Sequence, residues 1–428
     1  MNYKIKNIEL CTSGEMKIEL AMKEMPGLGS LIDLYRNKDK PLLGARIAGC
    51  LHMTVETAVL IHTLQALGAD VRWCSSNRYS TCDKAAAAMV ARGIPIFAWY
   101  GESEEDFKWC MDQVLFGEDS WRPNMILDDG AELTSHICLN YPSLLDGIRG
   151  ISEETTSGLF ELRKLEIKGL LSRPAIVVNN SITKSKFDNI YGCHESLIHA
   201  IKNSTGLLVS GKVVTVVGYG EVGKGCTKAL RGFGARVQVV EVDPISGLQA
   251  AMDGYNVVTM DNACKNSHLF ITATGNKHVI SYNHMLSMLD GTILCNMGNF
   301  NNEIEIEALD KYPSKKASET LEQYTLKDNK RIFLMGFGAP ANLACAGGHS
   351  SFVMSTSFAN QVMAQLELWS KYSEYEATIH TLPRILDEQV ARLHLDHLGV
   401  QLSFLTPEQA DYIGVNKSGP FKLDFYRY

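Results

Sequence analysis

A glycine-rich turn carries the plainest chemistry in this chain of 428 residues. It reads Gly218-Tyr-Gly220-Glu221-Val222-Gly223 and lies between the apolar run Val213–Val217 and the segment 224–233. The run is short and β-branched, as a strand buried on both faces must be. The segment after the turn is expected to be helical. Gly218 allows the tight turn, Gly220 lets the backbone reach a pyrophosphate, and Gly223 lets strand and helix pack closely. The unpaired N–H groups of the helix start then face the phosphates. A second strand is expected over 237–241 and ends in an acid. Glu241 lies about 20 residues past the glycines, where a carboxylate accepts the ribose diol of an adenosine. It repels a 2′-phosphate and no Arg follows it directly, so the pattern predicts NAD rather than NADP.

Other polar groups sit where strands are expected to end, which is where α/β sheets build their sites. His52 follows an expected strand over 46–51 and precedes Thr54 and Glu56. Asp128 and Asp129 close an apolar run over 124–129. Glu153-Glu154-Thr155-Thr156-Ser157 is a polar run between apolar segments, and Lys184 and Asp188 stand in a segment expected to open a helix. Each also fits a plainer role: a turn histidine, helix-capping threonines, a surface ion pair at i and i+4. Beside an NAD domain they point to oxidation of a hydroxyl on a small polar substrate, with a Lys or His taking the hydroxyl proton.

The length calls for two or more domains to position these groups. Strands are expected over 46–51, 70–73, 95–99 and 124–129, alternating with helices over 55–67, 84–92 and 104–115. A second series starts at the glycine turn, with strands over 213–217, 237–241, 268–272, 292–296 and 331–334. A helix over 352–369 is expected to return to the first series. The fold class is therefore α/β: two doubly wound parallel-sheet, Rossmann-like domains joined by a hinge, plus a small C-terminal arm. Residues 1–182 and 350–385 are expected to form the substrate-binding domain, 183–349 the NAD domain with hinge segments at its ends, and 386–428 the arm. The ending 419–428 is aromatic and basic, which suits docking on a neighbour. A net charge of −7 without a basic run argues against nucleic acid. No apolar stretch reaches a membrane span, and the N-terminus lacks a signal-peptide core. Eleven cysteines without a CxxC or CxxH read as reduced thiols of a cytoplasmic protein, with no metal site.

Longer strings resemble the S-adenosyl-L-homocysteine hydrolase family almost end to end. They include Ala48-Gly-Cys-Leu-His-Met-Thr-Val-Glu-Thr-Ala58, Ile148-Arg-Gly-Ile-Ser-Glu-Glu-Thr-Thr156 and Val178-Asn-Asn-Ser-Ile-Thr-Lys-Ser-Lys-Phe-Asp-Asn189. Tyr191-Gly-Cys193, Gly218 to Cys226, Gly348-His-Ser-Ser-Phe-Val-Met354 and the Gly-Pro-Phe-Lys…Tyr-Arg-Tyr ending continue the likeness. The resemblance implies a tightly bound NAD, one per subunit, that oxidises the 3′-hydroxyl of S-adenosylhomocysteine or a related nucleoside. It implies C4′ deprotonation, loss of homocysteine, water addition and re-reduction. Lys184 resembles the group that takes the 3′-hydroxyl proton, supported by Asp188. Glu154 and Thr155 resemble ribose binders, Asp129 the C4′ base and His52 the group near C5′. Thr54, Glu56 and His349 match adenine-recognising positions, and Asn189 and Cys193 match positions between substrate and nicotinamide. On the cofactor side the resemblance implies Thr155, Thr156, Ser157, Asn189, Gly218, Gly220, Glu221, Val222, Gly223, Glu241, Thr274, Asn296 and Asn342. Lys422 and Tyr426 match an arm that reaches the NAD of a neighbouring protomer, in a homotetramer.

The likeness departs on the substrate and hinge side. Asn299 replaces a usual His, which keeps hydrogen bonding but removes titration. The segment 336–340 replaces a Glu-Gly-Arg stretch, Gly347 a Met, Ser350 a Pro and Ser246 an Asn. Two alternatives to the hydrolase therefore stand. One is a related 3′-oxidising and eliminating enzyme with another nucleoside thioether or nucleophile. The other is an NAD-binding regulatory paralogue.

Overall fold

The computed structural model describes residues 2–36, 38–117, 120–423, 426 and 428. The chain forms two units, one of Met1–Phe187 with Ser351–Tyr428 and one of Asp188–Ser350. Asp424, Phe425 and Arg427 of the expected arm lie outside the described residues.

In the first unit the strands are β1 (Arg46–Cys50), β2 (Asp70–Cys74), β3 (Ile96–Phe97), β4 (Met125–Asp128), β5 (Gly150–Glu153) and β6 (Ala175–Val177). The sheet runs Ile379–His380, β6, β5, β4, β1, β2, β3, and every neighbouring pair is parallel. Successive residues of β4 enter opposite cores, Met125 and Leu127 on one face and Ile126 on the other, as a strand covered on both sides requires. Strand order reverses between β1 and β4, where Cys50 pairs with Asp128. The chains leaving these strands, at His52 and Asp129, thus emerge side by side at a topological switch point. Position 49 admits only glycine, because a Cβ there would lie 2.1 Å from the Trp73 ring. Trp73 Nε1 donates to the Leu51 carbonyl at 2.9 Å and fixes the path into His52.

The helix Ser351–Lys371 belongs to this unit, and it buries polar as well as apolar side chains: Ser355, Asn360, Gln361 and Gln365 are all fully buried. Two boundaries differ from expectation. The helix Ile182–Ser185, with Lys184, belongs to the first unit, and so does the helix Arg384–Leu395. One carboxylate links them: Asp387 accepts from the N–H groups of Ile182 at 2.6 Å and Thr183 at 3.0 Å. An arm starting at 386 would cut through this helix.

In the second unit the strands are β7 (Val213–Val217), β8 (Arg236–Val240), β9 (Asn256–Val257), β10 (Leu269–Thr272), β11 (Thr292–Asn296), β12 (Ser314–Ser318), β13 (Leu321–Thr325) and β14 (Arg331–Met335). The sheet order is β12-β13-β14-β11-β10-β7-β8-β9. It is parallel from β9 to β14, then antiparallel through β13 and β12. That edge hairpin was not expected, since β12 is almost wholly exposed and shows no apolar alternation. The helix after the glycine turn runs Glu221–Gly232 and starts earlier than 224, because Gly220 takes the cap position. The segment expected to open a helix at 184 instead closes the short helix Ile182–Ser185, and the longer helix follows only after a break. A wide, π-type turn over Asp188–Gly192 leads into the helix Cys193–Thr205.

No helix among the described residues is long and apolar enough to cross a membrane. All eleven cysteines are free, and all but Cys11 and Cys82 are buried.

Candidate active site

At the β1/β4 switch, two adjacent carboxylates take opposite roles. Asp128 turns inward, fully buried, and accepts from the N–H groups of Asp129, Leu133 and Thr134 and from the Thr134 hydroxyl. Burial pushes its carboxyl up to about 6, against the pull of those donors. It holds the start of the helix Glu132–Asn140. Asp129 faces the site instead. Its Oδ2 meets His52 Nε2 at 3.1 Å and accepts from the Ser76 hydroxyl at 2.7 Å. Its Oδ1 is buried with no partner among the described residues. His52 Nδ1 lies 2.7 Å from Ser80 Oγ and 3.1 Å from Ser76 Oγ. A carboxylate only accepts, so Nε2 points its N–H toward Asp129, while Nδ1 faces the two serine hydroxyls.

Glu153 ties the loop after β4 to β5. Its fully buried carboxylate accepts from the N–H groups of Gly130, Ala131 and Thr155, each at 2.9 Å. The neighbouring Glu154 takes the Gln361 amide on Oε2 at 2.7 Å, and Lys184 Nζ lies 3.8 Å from its Oε1. Lys184 and Glu154 are both buried. Thr155 caps the helix Thr156–Ile167 through the Gly158 N–H, and Thr156 accepts from the Asn179 amide at 2.7 Å. Thr54 likewise caps the helix Val55–Ala66, and Glu56 accepts from the Ser351 hydroxyl at 2.7 Å.

In the second unit the glycine turn fits a dinucleotide by shape. A Cβ on Gly223 would lie 2.0 Å from the Gly218 carbonyl oxygen, whereas one on Gly220 would meet nothing within 4 Å. The first is the close helix–strand approach and the second the open face a pyrophosphate needs. No side chain caps the helix Glu221–Gly232, so its first N–H groups face outward from the turn. Glu241 is held in place by the N–H groups of Tyr219 at 2.6 Å, Val242 at 2.7 Å and Asp243 at 3.0 Å. Thr274 is fixed by the buried Glu303, which accepts from its N–H and its hydroxyl. Asn296 is fully buried, and its amide donates to the carbonyls of Phe300 and Gly338 and accepts from Gly298 N–H and Thr272 Oγ1. All its hydrogen-bonding positions are taken within the unit, so what it gives the site is the shape of the loop 296–300.

A family model for the NAD-binding domain of S-adenosyl-L-homocysteine hydrolase matches residues 189–348, and a second model for S-adenosyl-L-homocysteine hydrolase matches residues 2–141. The chain belongs to the S-adenosyl-L-homocysteine hydrolase family. NAD is its cofactor. Matches among solved structures include a dipicolinate synthase polypeptide from Bacillus halodurans, 12% identical over 63% of this chain and 88% of that one, with a TM-score of 0.42. Its counterpart in the dipicolinate synthase of Bacillus subtilis is 13% identical over 78% and 98%, at 0.44. NAD+-bound 3-phosphoglycerate dehydrogenase of Entamoeba histolytica is 12% identical over 76% and 96%, at 0.43.

Within this hydrolase-family chain, His349 takes an unexpected set of partners. Its Nδ1 bonds the Asp188 carboxylate, and its Nε2 lies 2.9 Å from Asn342 Nδ2 and 3.6 Å from Cys193 Sγ. The four residues come from the wide turn, the helix after it, the short helix Ala341–Ala344 and the loop that follows it. Burial opposes protonation of His349, but the Asp188 carboxylate and Cys193 outweigh it and push the imidazole up to about 10. Gly192 makes room, since a Cβ there would lie 2.4 Å from the ring. Asn299 sits on the turn after β11, and Lys422 and Tyr426 are exposed. The segment 336–340 has its own backbone: Gly336, Phe337 and Gly338 are all left-handed, at φ +58°, +56° and +80°. Sequence reasoning marked Glu153 only as part of a polar run and did not find Ser76, Ser80, Gln361 or Asp387. Gln361 alone has a signal, as a polar residue in a helix otherwise apolar enough for a core.

Proposed function

We propose that the protein hydrolyses S-adenosyl-L-homocysteine to adenosine and homocysteine by transient 3′-oxidation. The observation that carries this reading is the His52–Asp129 pair, with one buried carboxylate oxygen of Asp129 left open, in a family member with an intact NAD turn. A 5′ thioether offers water no ready route of attack, whereas a 3′-ketone acidifies the C4′ proton. NAD, held by Gly218, Gly220, Gly223 and Glu241, supplies the reversible oxidation of the secondary alcohol.

The protein's residues do the rest. Lys184 takes the proton of the 3′-hydroxyl, and Glu154 holds the ribose hydroxyls. Both are buried, so neither competes with bulk water. Asp129 removes the C4′ proton through its open Oδ1, while Ser76 and His52 hold Oδ2. His52 delivers a proton to the departing thiolate and activates the incoming water. Thr54 and Glu56 bind the base, Lys422 and Tyr426 serve a neighbouring protomer's cofactor site, and the assembly is a homotetramer.

The left-handed run at 336–338 and Asn299 favour a second reading, in which the same oxidation and elimination serve another thioether. Turnover of the purified protein with S-adenosylhomocysteine, followed by product mass, decides between them. Adenosine plus homocysteine supports the first reading. NAD reduction without adenosine supports the second, and NAD binding without reduction sinks both.

A further inference from the structure

Buried polar side chains of the helix Ser351–Lys371 carry a chain of hydrogen bonds with a fixed direction. Gln365 Nε2 donates to the Ile126 carbonyl at 2.8 Å and to Ser152 Oγ at 2.8 Å. Ser152 donates to Gln361 Oε1 at 2.5 Å, and Gln361 Nε2 donates to Glu154 Oε2 at 2.7 Å. Gln361, Gln365 and Ser152 are fully buried. A backbone carbonyl only accepts, so the amide nitrogen of Gln365 must face Ile126. Its second proton then occupies the Ser152 oxygen and turns the serine hydroxyl toward Gln361. That hydroxyl needs a carbonyl, so Gln361 must present its nitrogen to Glu154. The far end supports this order. Gln365 Oε1 is buried without a partner among the described residues, a cost an unconstrained amide would avoid by turning.

We infer that Gln365, Ser152 and Gln361 form a directional relay, anchored on the Ile126 carbonyl, that presents one N–H to Glu154 and thereby aims this carboxylate. Its three members are positioning residues, and Glu154 is the group they act through. Lys184 faces the other oxygen of Glu154 from the helix Ile182–Ser185, and Asp128 and Glu153 lie on the strand ends beside it. The relay therefore decides which oxygen is left for Lys184 and a ribose hydroxyl. The inference rests on the reading that Glu154 binds the ribose.

The test is a double-mutant cycle on the NAD-loaded full chain with Ser152→Ala and Gln361→Met. Kinetics use S-adenosylhomocysteine. In parallel, the infrared carboxylate band of Glu154 is assigned by its loss in Glu154→Gln. Gln361→Met should lower kcat/KM about tenfold, the effect of one charge-assisted hydrogen bond. Ser152→Ala should lower it less, should displace the Glu154 band, and should add nothing once Gln361 is Met. Ser152→Thr, which keeps the hydroxyl, should restore the band. Additive losses with an unmoved band would overturn the relay and leave a packing role. If the wild type does not turn over S-adenosylhomocysteine, the functional reading fails, and the band in the same variants still decides the relay. If Gln361→Met does not fold, the Ser152 pair alone decides it by the band.

Discussion

Asp128 and Asp129 are neighbours of the same type at the end of one strand, and only their surroundings separate them. Asp128 is saturated by backbone N–H groups, whereas Asp129 keeps an oxygen open. The chain marks both as acids at a strand end. It cannot show which one turns inward, because that depends on where the N–H groups of the next helix fall. The distinction gives a paired prediction. Asp129→Asn should still let substrate reduce the bound NAD, seen as absorbance near the reduced nicotinamide band, but should stall before homocysteine release. Lys184→Ala should abolish the absorbance rise itself. An unchanged rise in Lys184→Ala would show that the proton leaves the hydroxyl by another route. His349 gives a pH prediction. Its pKa rises from an ordinary value near 6.5 to about 10 on folding, so its protonated form favours the folded state. That stabilisation is complete below about pH 6.5 and fades as pH rises through about 10. The Tm difference between wild type and His349→Gln should therefore shrink steadily from pH 6.5 to 10. A difference that is flat or grows would mean that His349 is neutral against Asp188.

At the scale of elements, the short helix Ile182–Ser185 depends on a residue about 200 positions away, since Asp387 accepts its first N–H groups. Asn360 adds a bond from its amide to Thr183 Oγ1 at 2.8 Å. A helix of a single turn cannot stand by itself, so the cap is what holds Lys184 in place. Asp387→Ala should destabilise the protein by about 1–2 kcal/mol in denaturant unfolding, and single-turnover NAD reduction should slow with it. Unfolding at the wild-type midpoint would show that the turn is held by packing alone. The strands and helices with strong periodicity could be read from the chain, among them 104–115, 213–217 and 292–296, which the structure reproduces residue for residue. The break between Ser185 and Asp188 could not, because it leaves no mark in the side-chain pattern. Nor could the hairpin β12–β13, since the exposed residues of β12 pair through backbone groups that leave no trace in side-chain pattern.

For the whole molecule, the two βα series already imply a chain that leaves one sheet, builds another and returns, and Met1–Phe187 with Ser351–Tyr428 forms one such unit around the insertion Asp188–Ser350. What the pattern leaves open is the last stretch. Among its described residues, Phe404 is 87% and Tyr412 92% exposed, with Leu402, Ile413 and Leu423 also exposed. Apolar side chains this dense on one short segment are a liability for a monomer and an ordinary feature of an interface between copies. The helix Pro407–Ile413 is locally well made, with a capping box from Thr406 and Gln409 and Pro407 at its start. Its outward tyrosine is therefore not a sign of poor folding. If this segment joins protomers, Phe404→Ser with Tyr412→Ser should lower the mass seen by light scattering from a tetramer to a smaller species. Far-UV dichroism should be unchanged. Each protomer should also lose NAD on dialysis, because Lys422 and Tyr426 would no longer reach a neighbour, and Tm should fall as the stabilisation from association is lost. A double variant that stays tetrameric and keeps its NAD would place the contact between protomers elsewhere and leave these side chains to another partner.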